Sequence, residues 1–213
     1  LEGVSSAKIL DFLEAVERSK HEFHSFMFLR HGKVISEGWW YPYREDLVHS
    51  MNSVSKSFTS TAIGIAVSEG LINIDDKVIS FFPDDLPENI DPYLEELTIE
   101  DLLTLSSGQK KIGIASLYNE SNWVRSILST PFIYKPGTRF QYDSLCSFML
   151  SAILQKVSGQ NLLDYLTPRL FEPLAITGVV WDENPNGINT GGWGLSVKTE
   201  DMAKFGQLYL QKG

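Results

Sequence analysis

A serine and a lysine lie three residues apart, at a spacing that could support nucleophilic chemistry. Ser53 and Lys56 belong to the run 51–59, which opens a segment with apolar periodicity that extends to Gly70. Residues i and i+3 share one face of a helix, so the hydroxyl and the amine can meet. A partly desolvated lysine can accept the serine proton, and the positive end of a helix dipole favours a developing oxyanion. The spacing therefore predicts either a lysine-activated nucleophile or an ordinary capped helix start.

Two other matches to Ser-x-x-Lys show that the spacing alone does not decide. Ser5–Lys8 begins an amphipathic helix, and Ser107–Lys110 lies in a turn rich in serine and glycine. Of the three matches, only Ser53 is followed by a long apolar helix, the structural context in which the motif has a mechanism. Ser53 is therefore the candidate nucleophile.

A tyrosine precedes a second apolar helix, which we predict from 144 to 157. A phenol held near a lysine ammonium has a lowered pKa and can transfer protons, so Tyr142 is a candidate acid/base group. Ser144 could relay a proton or bind substrate. The alternatives are a packing role for Tyr142 and helix capping by Asp143 or Ser144.

The remaining elements must position these two candidate segments. In the first third of the chain, periodicity and turn residues predict a helix over 4–20, a hairpin over 25–40 that turns at His31-Gly32, and the Ser53 helix to Gly70. Further helices are predicted over 99–105, 120–130 and 144–157, and another begins near 161 and breaks around Pro168. A loop is predicted over 184–194, followed by a last helix to 210. We expect residues 1–72 to form an N-terminal α/β portion and residues 73–213 a mainly helical domain.

The composition argues against several partners. The formal net charge is −9, and so acidic a chain is not expected to bind nucleic acid or an anionic membrane. No apolar run approaches the ~20 residues of a membrane span. Cys146 is the single cysteine, so no internal disulfide can form, and its apolar neighbours indicate a buried core residue. No signal peptide is visible, which favours the cytoplasm, but the chain begins at Leu1 rather than Met and its localisation stays open.

The histidines do not indicate a metal site. His21 and His24 are spaced His-x-x-His, one residue short of the zinc-helix pattern, so no metal is predicted there. His49 is expected to be a surface or capping residue.

Several short motifs occur together in one order. They are Arg30-His31-Gly32-Lys33, Ser53-Val54-Ser55-Lys56, Leu71-Ile72-Asn73-Ile74-Asp75, Leu102-Leu103-Thr104-Leu105-Ser106, Phe140-Gln141-Tyr142-Asp143-Ser144, Phe171-Glu172-Pro173-Leu174 and Gly192-Trp193-Gly194-Leu195. In this order the chain resembles the serine β-lactamase and penicillin-binding-protein superfamily, and more closely its class C β-lactamase-related branch of esterases, D-amino-acid peptidases and amide hydrolases. The resemblance implies an α/β fold with a mainly helical domain and an antiparallel sheet that is incomplete in this chain.

The resemblance also implies roles for the candidate residues. Ser53 would form an acyl-enzyme, Lys56 and Tyr142 would act as the general acid/base pair, and Ser144 would contact substrate. No cofactor would be needed, and the substrates would be small esters, amides or D-amino-acid peptides. The rival interpretations are a penicillin-binding sensor or binding module that is acylated without efficient turnover, and an inactive fragment.

Two departures from the family pattern modify these expectations. Ser144 replaces the asparagine of Tyr-x-Asn, which makes an ester or peptide a better expected substrate than a β-lactam. The third family motif, Lys/His-Thr/Ser-Gly on a late strand, is missing, because Asn189-Thr190-Gly191 lies in the predicted loop. We therefore expect the chain to lack the C-terminal strands of the α/β domain and to self-associate through the open sheet edge.

Overall fold

A computed structural model describes residues 2–213. Its helices, in chain order, are Ser6–Arg18 (α1), Ser55–Ser68 (α2), Pro92–Glu96 (α3), Ile99–Leu103 (α4), Trp123–Leu128 (α5), Ser144–Ser158 (α6), Leu162–Leu166 (α7) and Thr199–Leu210 (α8). Its strands are Ser25–Arg30 (β1), Lys33–Trp39 (β2), His49–Ser50 (β3), Val180–Trp181 (β4) and Leu195–Val197 (β5). Within residues 2–213, none of the helices is both long enough and apolar enough to cross a membrane.

The strands form two small sheets. β1 and β2 are an antiparallel hairpin, and the turn between them, His31-Gly32, has positive φ at both residues, as the sequence predicts. The other sheet has the strand order β3-β5-β4, in which β4 and β5 are antiparallel. The mixed α/β class with small antiparallel sheets is therefore confirmed.

The chain folds into two compact units. The smaller unit contains residues 2–49, 174–178 and 197–213, and the larger contains 50–173 and 179–196. The larger unit holds α2 to α7. The domain division expected at residue 72 stays a prediction.

Aromatic contacts join the helix and the hairpin of the smaller unit. Phe12 of α1 lies with its ring centroid 5.3 Å from that of Phe26 and 4.9 Å from that of Phe28, both on β1 and both edge-on. Edge-to-face ring pairs stabilise a contact by more than the burial of their apolar area alone, so these two pairs stabilise the packing of α1 on β1. A hydrogen bond of 2.7 Å between Ser25 and Thr199 joins the start of α8 to β1.

The expectation that His49 is a surface residue is wrong. His49 is buried, and its Nδ1 lies 3.4 Å from Nδ1 of His24, whose ring stacks on Tyr43. Burial lowers the pKa of His49, and the neighbouring His24 lowers it further. The sequence showed no apolar periodicity around this residue, and the partner ring is 25 residues away in the chain.

Helix α6 is the core of the larger unit. Ten consecutive residues from Leu145 to Leu154 are buried, and Gly159, with φ of 72°, ends the helix in the left-handed conformation. Cys146 is among them, as predicted, and burial raises the pKa of its thiol to about 12. At that pKa the thiolate is scarce at neutral pH, so the residue packs rather than reacts.

Two of the differences between predicted and observed helix ends have a clear cause in the backbone. α4 stops at Leu103 rather than at 105, because Leu105 has a positive φ and turns the chain away. Pro168 does not end its helix but falls within a π turn, Thr167–Phe171, where α7 continues in wider form. Thr98 caps the start of α4 and forms a complete capping box with Asp101.

Candidate functional site

The candidate nucleophile lies in a short turn immediately before α2. Ser53 is the middle residue of a 3-10 turn, Asn52–Val54, and not part of the α-helix itself, which differs from the sequence prediction. Asn52 has φ of 45°, a conformation that asparagine tolerates better than most residues. The turn therefore presents an exposed Ser53 from a defined backbone.

Buried hydrogen bonds fix this turn. The hydroxyl of Ser55, which is fully buried, donates to the Asn52 carbonyl at 2.6 Å and accepts the amide N–H of Leu195 at 3.3 Å. The Met51 amide donates to the Leu195 carbonyl at 2.8 Å. Because these bonds join the turn to β5 on both sides of the nucleophile, the position of Ser53 does not depend on side-chain packing alone.

Lys56 connects the parts of the candidate site. Its Nζ donates to Ser53 Oγ at 3.3 Å, to Ser144 Oγ at 3.0 Å and to the carbonyl oxygen of Gly192 at 2.7 Å. An ammonium has three protons to donate, and here three acceptors surround it. The same Nζ lies 4.9 Å from the centre of the Tyr142 ring.

The N-terminus of α6 supplies the tyrosine and the second serine. Asp143, rather than Ser144, is the N-cap, and its carboxylate accepts the Leu145 N–H at 2.9 Å. This leaves the Ser144 hydroxyl to contact Lys56. Hydrogen bonding from Ser53 lowers the pKa of Tyr142 below its ordinary value, and hydrogen bonding from Lys56 and its positive charge lower it further. The phenol of Tyr142 therefore loses its proton more easily than that of an ordinary tyrosine.

The loop before β5 carries the carbonyl group that holds Lys56. Thr59 of α2, fully buried, donates to the Gly191 carbonyl at 2.7 Å, and Ser151 of α6 donates to the Asn189 carbonyl at 2.6 Å. Gly191 has φ of 66°, and a Cβ there would come within 2.5 Å of the Ser147 carbonyl oxygen. The loop can approach α6 this closely only with glycine at that position.

All four predicted site residues, Ser53, Lys56, Tyr142 and Ser144, are therefore brought together. Sequence reasoning missed the Gly192 carbonyl, for which the only available indication was the Gly191-Gly192 pair at the end of the predicted loop. A backbone acceptor carries no side-chain signature, so no motif could have assigned it.

The competing serine–lysine matches do not form comparable pairs. Lys8 donates to Asp11 at 3.0 Å, so its ammonium is directed along α1. Ser107 is buried and accepts the Gln109 N–H. As predicted, Asn189-Thr190-Gly191 lies in a loop and not on a strand. Among the residues that the structure describes, no group of three or more His, Cys, Asp or Glu side chains is arranged to hold a metal ion.

Chemically, the arrangement joins an exposed alcohol, an ammonium, a second hydroxyl and a phenol with a lowered pKa in one connected set. Solved structures of similar shape share this fold. The octameric penicillin-binding protein homologue from Pyrococcus abyssi superposes with a TM-score of 0.78 at 22% identity, covering 98% of this chain and 57% of that one. The fold is thus the β-lactamase/transpeptidase-like class.

The family follows from a direct match. The family model described as Beta-lactamase matches residues 18–213, and the chain belongs to the β-lactamase family. Protein flp of Staphylococcus aureus (strain MRSA252) is 28% identical over 176 residues, which is 76% of this chain and 35% of the relative. A protein of Escherichia coli (strain K12), named "Putative D-alanyl-D-alanine carboxypeptidase", is 28% identical over 135 residues, 58% of this chain and 31% of the relative. The chain thus spans about a third of these relatives' length.

Proposed function

We propose that this protein is a serine acyl hydrolase in which Ser53 forms a covalent acyl-enzyme. The observation that carries the proposal is the position of Lys56 Nζ, 3.3 Å from Ser53 Oγ and anchored at the same time by Ser144 and Gly192. An amine anchored on two sides points its remaining proton site toward the serine, which is the geometry that a general acid/base group requires.

The reaction would proceed in two halves. Ser53 Oγ attacks the substrate carbonyl carbon as its proton passes to the Lys56–Tyr142 pair, and the carbonyl electrons move onto the oxygen. The tetrahedral intermediate then expels the alcohol or amine, which takes the proton from the pair. In the second half, water attacks the ester carbonyl with the pair again accepting a proton, and the acid departs as Ser53 is restored.

The charge that develops on the carbonyl oxygen needs donors. The N–H of Ser53 lies in the first turn of a helical segment, where backbone N–H groups lack partners within the helix. It therefore supports an oxyanion hole at the positive end of α2. The lowered pKa of Tyr142 supports its participation in the proton transfer, and Lys56 Nζ lies 4.9 Å from the centre of its ring, close enough to share that role.

The substrate class follows from the group next to Lys56. Ser144 offers one hydroxyl where the related enzymes' motif has an asparagine, so the recognition of an amide by paired donor and acceptor is reduced. We therefore propose small esters, amides or D-amino-acid peptides in preference to β-lactams. The name of the Escherichia coli relative, which refers to a D-alanyl-D-alanine carboxypeptidase, supports the peptide branch of this proposal.

Intact-mass spectrometry tests the nucleophile. The chain is exposed separately to an activated ester, a penicillin and a fluorophosphonate, and we expect a mass increase in the wild type that Ser53→Ala abolishes. Lys56→Ala and Tyr142→Phe should each slow adduct formation by about 10²-fold or more, because each removes an acid/base group. Ser5→Ala is the matched control, since it removes the serine of another Ser-x-x-Lys match whose lysine pairs with Asp11.

The outcomes separate the rival functions. Loss of the adduct only in Ser53→Ala, with hydrolysis of the acyl group on a time scale of seconds to minutes, supports a hydrolase. A long-lived adduct would instead indicate a sensor or binding module. An adduct that persists in Ser53→Ala, or wild-type rates in Lys56→Ala, would overturn the assigned roles.

We also propose that the chain self-associates. Within the described residues the β1–β2 sheet has two strands, so the outer edge of each strand carries unpaired backbone groups. The Pyrococcus abyssi homologue is described as octameric, which supports assembly in this fold. Sedimentation velocity at several concentrations would show a mass above 24.0 kDa if the proposal is correct and a constant monomer if it is not.

A further inference from the structure

A cavity lies in the larger unit at the opposite end of α6 from the candidate site. It has a volume of about 370 Å³ and is bounded by the C-terminal half of α6, the start of α5, the 3-10 turn Pro83–Asp85 and the loop before β5. From Ser144 to Gln155, α6 rises by roughly 17 Å, because each helical residue advances 1.5 Å. Cavities that hold small ligands measure about 300–1,000 Å³, so this one has room for a small molecule that does not touch Ser144.

Part of the cavity wall is apolar and belongs to the core. Phe82, Val124 and Ala152 line it and are 4%, 5% and 2% exposed. Because core packing holds these side chains, they present a defined apolar surface to the cavity. An alkyl group that covers this surface leaves water, which favours its binding.

Two opposite charges line the same cavity, and neither has a charged partner. Asp85 ends the 3-10 turn, and its Oδ1 accepts a hydrogen bond from Asn122 Nδ2 at 2.7 Å. Lys156 lies in the last turn of α6 and is exposed. Within residues 2–213, neither Asp85 nor Lys156 takes part in an ion pair, with each other or with any other residue. Both charges are therefore available to a ligand.

An unsatisfied acceptor belongs to the same wall. Oε1 of Gln155 is buried and has no hydrogen-bond partner among the residues that the structure describes. Buried polar atoms are nearly always paired, so an unpaired one indicates a missing partner. Gln155 is half-buried, and rotation of its terminal amide can turn this oxygen toward the cavity. A ligand that donates hydrogen bonds would satisfy it.

We propose that this cavity binds a small zwitterion with an apolar side chain, of the class of free amino acids and dipeptides. The ligand's ammonium donates to the Asp85 carboxylate and to Gln155, and its carboxylate accepts from the Lys156 ammonium. Its side chain covers the apolar wall. A molecule with only one charge would leave one of the two protein charges unpaired. Because none of these residues belongs to the Ser53 site, the binding does not depend on the proposed function.

Isothermal titration calorimetry with leucine and with alanyl-leucine tests the proposal. We expect saturable binding of at least one of them, with a Kd on the order of 0.1–1 mM, as is reasonable for so small a ligand. 4-Methylpentanoate and 3-methylbutylamine carry the leucine side chain with a single charge, and each should bind about 10-fold more weakly or less. The tighter of the two zwitterions shows whether the cavity takes a free amino acid or a dipeptide.

Two variants match each protein charge to one end of the ligand. Asp85→Asn and Lys156→Gln should each weaken binding of the zwitterion by about 10-fold, because each removes one charge-assisted hydrogen bond. Asp85→Asn should not weaken binding of 4-methylpentanoate, which has no ammonium, and Lys156→Gln should not weaken binding of 3-methylbutylamine, which has no carboxylate. Asp84→Asn is the matched control and should change none of these values, since Asp84 is exposed and does not line the cavity.

Amide NMR locates the bound molecule. Signals of residues 82–85, 122–124 and 186–188 should move on addition of the zwitterion, and that of Tyr142 should not. The absence of saturable binding of either zwitterion up to about 20 mM, or Kd values that neither variant changes, would overturn the inference. Shifts confined to Tyr142 and its neighbours would also overturn it, because they would place the molecule in the Ser53 site. If Asp85→Asn does not fold, Lys156→Gln, at an exposed position, supplies the same comparison.

Discussion

The buried hydroxyl of Thr59 provides a test of how the Lys56 site is held together. Thr59 is fully buried and donates at 2.7 Å to the Gly191 carbonyl, next to the Gly192 carbonyl that accepts from Lys56. Thr59→Val is nearly isosteric, so it leaves no cavity, but it removes the donor and leaves the Gly191 carbonyl buried without it. A buried polar group that loses its partner costs about 1–3 kcal/mol.

The loop cannot easily avoid this cost. Gly191 lies against the Ser147 carbonyl and has a left-handed φ, so the backbone has little room to turn its carbonyl toward water. For a chain of this size, each kcal/mol corresponds to about 2–4 °C in Tm, so we expect Thr59→Val to lower Tm by about 2–12 °C. The acylation rate should fall as well, because the Gly192 carbonyl that accepts a hydrogen bond from Lys56 becomes mobile.

Differential scanning calorimetry and the mass-spectrometric acylation assay measure the two effects. Thr61→Val is the matched control: it lies on the same helix, and its hydroxyl donates to the Ser57 carbonyl at the protein surface. A Tm for Thr59→Val equal to that of Thr61→Val, with an unchanged acylation rate, would refute the reasoning that this hydrogen bond holds the loop.

Two further predictions use other features of the fold. Gly191→Ala should destabilise the protein, because the residue has a φ of 66° and the new Cβ would meet the Ser147 carbonyl. Gly64→Ala, on the open face of α2, should instead raise the free energy of unfolding by about 0.5–1 kcal/mol. Urea unfolding of both variants checks these opposite signs. Burial lowers the pKa of His49. The unfolded chain therefore binds the proton more readily, and this contribution to stability is complete above the ordinary value of about 6.5 and is lost as the pH falls below it. His49→Gln should flatten the dependence of the urea midpoint between pH 7.5 and 5.5, and an unchanged slope would contradict the assignment.

The sequence was most informative where chemistry and local periodicity coincide. The Ser53–Lys56 spacing and the residues before α6 predicted the site. Helix geometry places residues i and i+3 on the same face, and a long apolar run predicts a buried helix. The hairpin turn at His31-Gly32 and the cap at Thr98 were predictable for the same reason, as their backbone requirements are local.

The remaining features depend on contacts between distant segments. The sequence predicted Ser53 within a helix, but the hydrogen bonds of Ser55 and Met51 to Leu195 draw the segment into a 3-10 turn. The same limitation applies to the His24–His49 pair and to the Gly192 carbonyl, whose roles arise from residues far away in the chain. Local patterns can identify the reactive groups, but they cannot supply the partners that orient them.

The attachment of the loop that carries Gly192 has a consequence for how the site is lost. Surface loops commonly open by local fluctuations that leave the rest of a protein intact. This loop is bonded to α2 through Thr59 and to α6 through Ser151, both buried, so its opening breaks two buried hydrogen bonds and leaves their donors in the core without partners. Amide hydrogen exchange at residues 189–192 should therefore be as slow as in the middle of α6, and heat should inactivate the protein only at the temperature at which the larger unit unfolds.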